Sequence, residues 1–127
     1  MKYTTFEEMP VWKGAIRAAK IIYAITNSGK WSREFSLKDQ IRRAACSISS
    51  NMAEGFEYDN INDFVRYLRI AKGSAGEVRS QLYLAESLGF IDSKELAEGN
   101  AVIFDLTRQL GGFLKFLKKH RESKESC

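Results

Sequence analysis

One proline, two cysteines and one histidine are all that this 127-residue chain contains of three chemically decisive residue types. With Pro10 alone, nothing downstream breaks a helix by removing a backbone donor. Two cysteines, Cys46 and Cys127, are too few for a disulfide framework or a zinc site. They fit a reducing cytoplasm. The lone His120 lies close to the C-terminus, so the Glu-x-x-His pairs that hold di-iron centres inside helical bundles have no counterpart. Neither an HExxH nor a GxSxG pattern occurs. No apolar run approaches the ~20 residues that span a bilayer. The opening stretch, MKYTTFEEMPVWK, has early carboxylates and no apolar centre, which argues against a secretory signal. No segment alternates with the period of two that marks a half-buried strand. The expectation is an all-α cytoplasmic protein with no catalytic residues, metal, cofactor, membrane contact or small-molecule substrate.

What is present is enough apolar material, 44% of residues, to build one core, and a length that fits one domain. Charged residues make up 28%, and the mean hydropathy is −0.33. The net charge of +4 and a pI near 9.1 permit an anionic partner without requiring one. Where the cations sit matters more than their sum.

Four amphipathic stripes divide the chain. Pro10 suits the first position of a helix, where its missing N–H has no intrahelical partner anyway. Val11, Ala15, Ala18, Ile22 and Ile25 then recur at steps of four and three, and Asn27-Ser28-Gly29 ends the run. After a short polar loop over Lys30 to Phe35, Ser36 with Asp39 reads as a capping box. The second stripe is Leu37, Ile41, Ala44, Ile48, Asn51 and Gly55. Asn60 caps a third helix with Asp63 in its first turn. Its stripe is Ile61, Phe64, Leu68, Ala71, Ala75, Val78, Leu82 and Ala85, roughly 40 Å of helix at ~1.5 Å per residue. Gly89 ends it, and Asp92 with Glu95 caps a fourth, striped by Leu96, Gly99, Ile103, Leu106, Leu110, Phe113 and Leu117. Short connections make neighbours antiparallel, giving an up-down-up-down four-helix bundle. The single domain is placed at residues 1–119, and residues 120–127 read as a polar, disordered tail.

The segment Gln40 to Gly55, QIRRAACSISSNMAEG, is built almost wholly of small side chains, which let helix backbones approach closely. Arg42 and Arg43 lie about 100° apart around it; they read either as a solvated pair or as an oligomer contact or phosphate clamp. Arg43 follows Asp39 by four residues, a helix-stabilising ion pair of roughly 0.3–0.5 kcal/mol. Asn51, on the apolar stripe, reads as a satisfied core amide that fixes register. Ser47, Glu54 and Arg43 lie close enough to it to form a polar network. Cys46, Ser49 and Ala53 occupy a different side, too smooth for an ordinary exposed face, and read as a second contact with Cys46 buried. Gly73 and Gly76 interrupt the third helix at about 1 kcal/mol each relative to alanine. Close approach of a neighbouring helix is the expected compensation. Arg69, Lys72 and Arg79 share one flank of that helix, and Lys115, Lys118, Lys119 and Arg121 crowd the end of the fourth. They read either as solvated cations or as a surface for RNA, DNA or an acidic protein.

The run Gln40-Ile41-Arg42-Arg43-Ala44, then Ser47-Ile48 and Asn51-Met52-Ala53-Glu54-Gly55, resembles the QIRRA…SI…NIAEG signature of the four-helix-bundle proteins encoded in 23S rRNA intervening sequences. The likeness continues through Phe64 to Leu68, Ala71, Gly73-Ser74 and Glu77. It includes Val11-Trp12 and Leu110-Gly111-Gly112 with Leu114, and so extends from Phe6 to Lys119. Met52 stands where isoleucine is usual, and Cys46 where valine or alanine is common. The resemblance implies an antiparallel four-helix bundle that assembles into a ring-like homo-oligomer, a pentamer. It supplies no catalytic residues. Similar small bundles that accompany diversity-generating retroelements form pentamers and bind nucleic acid through a basic surface, and the family's setting inside rRNA genes points towards RNA. The expected function is a non-catalytic homo-oligomer that binds RNA or DNA through a basic surface. The alternative is a protein scaffold or adaptor with no nucleic-acid binding.

Overall fold

A computed structural model of the chain describes residues 3–125, with side chains as far as Glu122. Four helices follow one another: α1 (Pro10–Ile25), α2 (Phe35–Glu57), α3 (Ile61–Ser87) and α4 (Ser93–Glu125). Short 3-10 turns occupy Phe6–Glu8 and Gly29–Trp31, and no strand occurs among the described residues. Each helix packs on two others, α1 on α2, α2 on α3, α3 on α4 and α4 on α1, which closes a square bundle.

Contacts between helices fix their directions. Thr26 and Tyr23, at the end of α1, meet Arg42 and Cys46 of α2. Ser47 and Gly55 of α2 meet Ser74 and Tyr67 of α3. Asn62 and Arg79 of α3 meet Arg121 and Asn100 of α4. Gly14 and Ile25 on α1 lie against Leu106 and Gly99 on α4. In every pair the residue numbers rise on one helix as they fall on the other, so each contact is antiparallel.

The local signals that set the helix ends are those of the sequence at three of the four starts. Pro10 opens α1. Asn60 Oδ1 accepts from the Asp63 backbone N–H at 3.1 Å. Asp92 and Glu95 cap each other reciprocally, at 2.8 and 3.1 Å. The exception is α2, which begins one residue before the expected Ser36. Its cap is Glu34, whose carboxylate accepts from the Leu37 N–H at 3.0 Å. At the end of α3, Gly89 takes the left-handed φ of 84°. The Phe90 N–H reaches Ala85 O and the Gly89 N–H reaches Glu86 O, a Schellman closure. The last helix does not stop at Lys119 but continues as far as Glu125. Stacking of His120 on Phe116 and a hydrogen bond from Arg121 to Asn62 tie the extra turn down. The expected tail beyond it, residues 126–127, lies outside the described residues.

All eight stripe residues of α3 except Ile61 are buried, and so are all five named for α1. In α2 the stripe residues Leu37, Ile41, Ala44, Ile48 and Gly55 are buried, whereas Asn51 stands half-buried at the edge and its neighbour Met52 is fully buried. The expected polar loop holds the largest buried side chain of the protein. Trp31 is inaccessible to solvent and stacks on Phe90, ring centroids 5.1 Å apart, so it plugs the end of the bundle where both tight connections meet.

Among these contacts the tightest is the seam between α2 and α3. A Cβ on Gly55 would sit 2.5 Å from Tyr67 Cβ, a separation real side chains do not tolerate. Further along the seam Ala44, Ala71 and Ala75 are buried, and Ser47 Oγ lies 2.9 Å from Ser74 Oγ. Small residues here do what the sequence implied. Gly73 and Gly76 do not: a Cβ at either would meet nothing within 4 Å. Cys46 is likewise exposed, because it points away from the core and only Tyr23 of α1 leans towards it.

Replacing Gly55 with alanine therefore forces two backbones apart and should lower stability by about 1–3 kcal/mol. Gly73→Ala should instead raise the stability of the single bundle by about 1 kcal/mol, through helix propensity. Urea denaturation of the two variants checks both signs; equal effects would contradict the seam.

Candidate nucleic-acid interface

The helix-two signature divides between two neighbours. Arg42 turns towards α1. Its Nε donates to Thr26 Oγ1 at 2.8 Å, its Nη2 reaches Tyr23 O at 3.4 Å, and the guanidinium lies 4.3 Å from the centre of the Tyr23 ring. Thr26 is fully buried and donates in turn to Ile22 O at 2.8 Å. Through these contacts Arg42 fastens α2 to the end of α1. The sequence reading missed this role. The signal available was a threonine at the end of α1, where a hydroxyl that donates to a backbone carbonyl still has acceptor lone pairs to offer.

The other residues of the signature face α3 or solvent. Asn51 Nδ2 donates to both the backbone oxygen and the hydroxyl of Ser47, each at 2.8 Å, and Ser47 meets Ser74 across the seam. Asn51 is thus a satisfied amide, as expected, but at the edge of the core. Arg43 remains exposed and pairs with Asp39 at 2.8 Å. With side chains 80% and 62% exposed, the pair contributes only about 0.3–0.5 kcal/mol. Glu54 stands near Tyr67, whose hydroxyl donates to Tyr58 Oη at 3.4 Å; this bond and the carboxylate push Tyr67 up to about 12. The predicted network therefore forms around Ser47, Asn51 and Ser74 and leaves Arg43 and Glu54 at its margins. Cys46 lies 3.5 Å from the Tyr23 hydroxyl, which is pushed up first of all by that hydrogen bond. No group of three His, Cys, Asp or Glu among the described residues is placed to hold a metal.

The cationic residues named from the sequence lie on α3 and α4, which pack side by side. Arg69 and Lys72 are exposed. Arg79 is half-buried; its Nε donates to Asn100 Oδ1 at 3.4 Å and its guanidinium lies 5.4 Å from the Phe104 ring centre. At the other end of the pair, Arg121 donates to Asn62 Oδ1 at 3.1 Å. These two links make the outer edges of both helices one continuous surface. Phe104, Gly111, Lys115 and Lys118 follow at helical spacing along α4, beside Arg79, Lys72 and Arg69 on α3. Lys119 is exposed one position further round. Three ion pairs form among the described residues, from Arg43, Arg66 and Arg108. Arg108 is neutralised by Asp105, whose carboxyl it holds below the usual carboxylate range. None of Arg69, Lys72, Arg79, Lys115, Lys118 and Lys119 has a carboxylate partner in that set.

Comparison with known proteins places this architecture. The 23S rRNA-intervening sequence protein family matches residues 7–112. The match ends before Lys115, Lys118 and Lys119. A crystal structure of a protein of unknown function from the S23 ribosomal protein family of Bacteroides thetaiotaomicron is similar, with a TM-score of 0.73 at 23% identity. The similarity covers 83% of this chain and 98% of that one, and it is a likeness of fold. No curated protein matches the chain.

The fastening of α2 to α1 carries its own test. Thr26→Val keeps the shape and removes the acceptor of the Arg42 Nε–H, and should destabilise the protein by about 1–3 kcal/mol. In an Arg42→Leu background the same change should matter much less. Denaturation of the four members of this cycle measures the coupling.

Proposed function

This chain belongs to the 23S rRNA-intervening sequence protein family, and we propose that it is a non-catalytic, homo-oligomeric bundle that binds RNA or DNA through the outer surface of α3 and α4. The observation that supports this reading is the set of cations without carboxylate partners along those helices, described above. An arginine or lysine with no carboxylate partner keeps its charge available for a phosphate. Six such groups on one surface give a potential that attracts a polyanion. The spacing also fits a strand better than a point ligand, since Arg79, level with Asn100, and Lys118 are about 27 Å apart along α4 at ~1.5 Å per residue.

Assembly would repeat that surface and raise its avidity without any new contact. Support for assembly comes from the outer ridge of α3, where Ile70, Leu84 and the following Leu88 are 43%, 48% and 58% exposed. Gly73 and Gly76 leave room on the same helix for another backbone to come close. The family resemblance adds a pentamer as the expected size. The same ridge also supports a second reading, a scaffold that covers it with a different protein and binds no nucleic acid.

Two measurements separate these readings. RNA binding should weaken steeply with salt, and Arg69→Gln, Lys72→Gln and Arg79→Gln together should lower the magnitude of the log–log salt slope by about 2 for a single strand. An unaltered slope would refute this assignment of the surface. Light scattering should give a multiple of the 14.5 kDa chain mass. Leucine at both Gly73 and Gly76 should shift it towards the monomer; a monomeric wild type at micromolar concentration would contradict the assembly.

A further inference from the structure

The far end of the bundle, opposite Trp31, holds a cavity of about 360 Å³ that neither the core nor the cationic surface accounts for. It opens where the α2–α3 connection, the end of α4 and the N-terminal segment meet. Its volume lies at the low end of small-molecule pockets and suits one planar ring system. Aromatic side chains form its floor and one wall. Phe56 and Phe64 cross edge to face at 5.8 Å. Phe116 and His120 stack with their planes 13° apart and their centroids 6.3 Å apart. Phe116 is 56% exposed, although an aromatic ring of that size gains by burial.

The opposite rim is polar. Asp59 and Asn60 line it, and the Asp59 carboxylate has no hydrogen-bond or ion-pair partner among the described residues. Asn60 Oδ1 is committed to capping α3, so its amide N–H groups are what remain for a ligand. Asp59 holds a left-handed backbone, φ 53°, at the end of α2. On the solvent side, Lys119 follows Phe116 by one helical turn. Arg121 is anchored at Asn62, next to the pocket residue Ile61.

We propose that this cavity takes a single unpaired nucleobase, stacked on the Phe116–His120 wall and read by Asp59 and Asn60, with its phosphate held by Lys119 and Arg121. The proposal rests on the nucleic-acid reading above and sharpens it from a charged surface to a single-strand site. A flat aromatic face is sequence-tolerant, because every base has a π-face. The carboxylate is more selective. Guanine presents two adjacent donors, N1–H and N2–H₂, to the two oxygens of Asp59, whereas uracil presents one donor between two acceptors. The cavity lies at the same end of the bundle as Lys115, Lys118 and Lys119, so a strand leaving the cationic surface there can turn its terminal or looped-out base into it.

Fluorescence anisotropy with labelled RNA tests this in the full-length protein. The probes are a guanine-containing single strand, oligouridine of equal length, and the first strand annealed into a duplex; unlabelled 5′-GMP serves as competitor. The guanine strand should bind most tightly. Phe116→Ala should weaken it roughly ten-fold and leave the salt slope unchanged, unlike the Arg69/Lys72/Arg79 glutamine variant. Asp59→Asn keeps the left-handed turn, which asparagine tolerates, and should abolish the preference for guanine over uracil. Thermal melts of both variants should match wild type. Displacement of the strand by 5′-GMP supports the base pocket and makes free nucleotides a second source of the same ligand. Strand binding unchanged in both variants overturns the pocket while leaving the cationic surface standing. If wild type binds no strand at all, the surface reading falls, and calorimetry with 5′-GMP then decides the pocket: heat lost in Phe116→Ala upholds it, and no heat from wild type sinks it.

Discussion

Everything about this bundle is arranged around the close passage of α2 over α3. At Gly55 the two backbones come so near that Tyr67 leaves no room for a methyl group. That distance sets what the rest of the seam can be. Alanine at positions 44, 71 and 75 fills the space without pushing it open. Serine at 47 and 74 spans it with one hydrogen bond between hydroxyls. Asn51 then has an acceptor pair on Ser47 in reach and needs no partner from elsewhere. Larger side chains, Met52, Leu68, Leu82 and Leu110, fill the rest of the core and are fully buried. A narrow seam on one side and full-sized side chains elsewhere give the bundle one packing solution, since close-packed interiors tolerate little rearrangement.

The two ends of the bundle are finished differently, and the difference has consequences. At one end Trp31 and Phe90 stack into a plug. Because α1 and α2 also lock there through Thr26 and Arg42, this end is closed by both packing and polar contact. At the other end Tyr3, Phe56, Phe64, Phe113 and Phe116 gather without closing, and a cavity remains among them. A pocket survives there because no large side chain of the α2–α3 connection turns inward. Tyr58 stacks on Tyr67 over the outer surface, Asp59 turns the backbone, and Asn60 is occupied with its cap.

Charge is distributed with the same asymmetry. Acidic partners for arginine occur within one helical turn on α2, at the start of α3 and midway along α4. The remaining cations of α3 and α4 have none among the described residues. Solvated cations of this kind add little to stability, so their effect is on what approaches the protein. The functional reading therefore rests on what the surface lacks, internal compensation, while the fold rests on what the seam lacks, side-chain volume.

Much of this was legible in the chain itself. Four stripes at three-four spacing, and the caps at Pro10, Asn60 and Asp92, define four helices because helix ends and helix faces are local properties. The link between Arg43 and Asp39 was legible for the same reason: both partners lie on one helix. The small-residue segment of α2 does meet a close neighbour, but other inferences about which neighbour a side chain meets failed. Gly73 and Gly76 promised a close contact and have none within the chain, whereas Gly14, which the sequence did not single out, and the stripe residues Gly55 and Gly99 are pressed by side chains of other helices. Asn51 stands at the edge of the core beside the fully buried Met52, because its amide is satisfied by Ser47 one turn earlier on the same helix. Trp31 looked like part of a loop and proved to be buried, since only the meeting of two connections from distant parts of the chain creates the hollow it fills. Sequence determined the helices, their order and their charge; the packing angles of the tertiary structure decided which glycine is indispensable, which arginine is structural and where an open pocket remains, because those depend on distances between segments far apart in the chain.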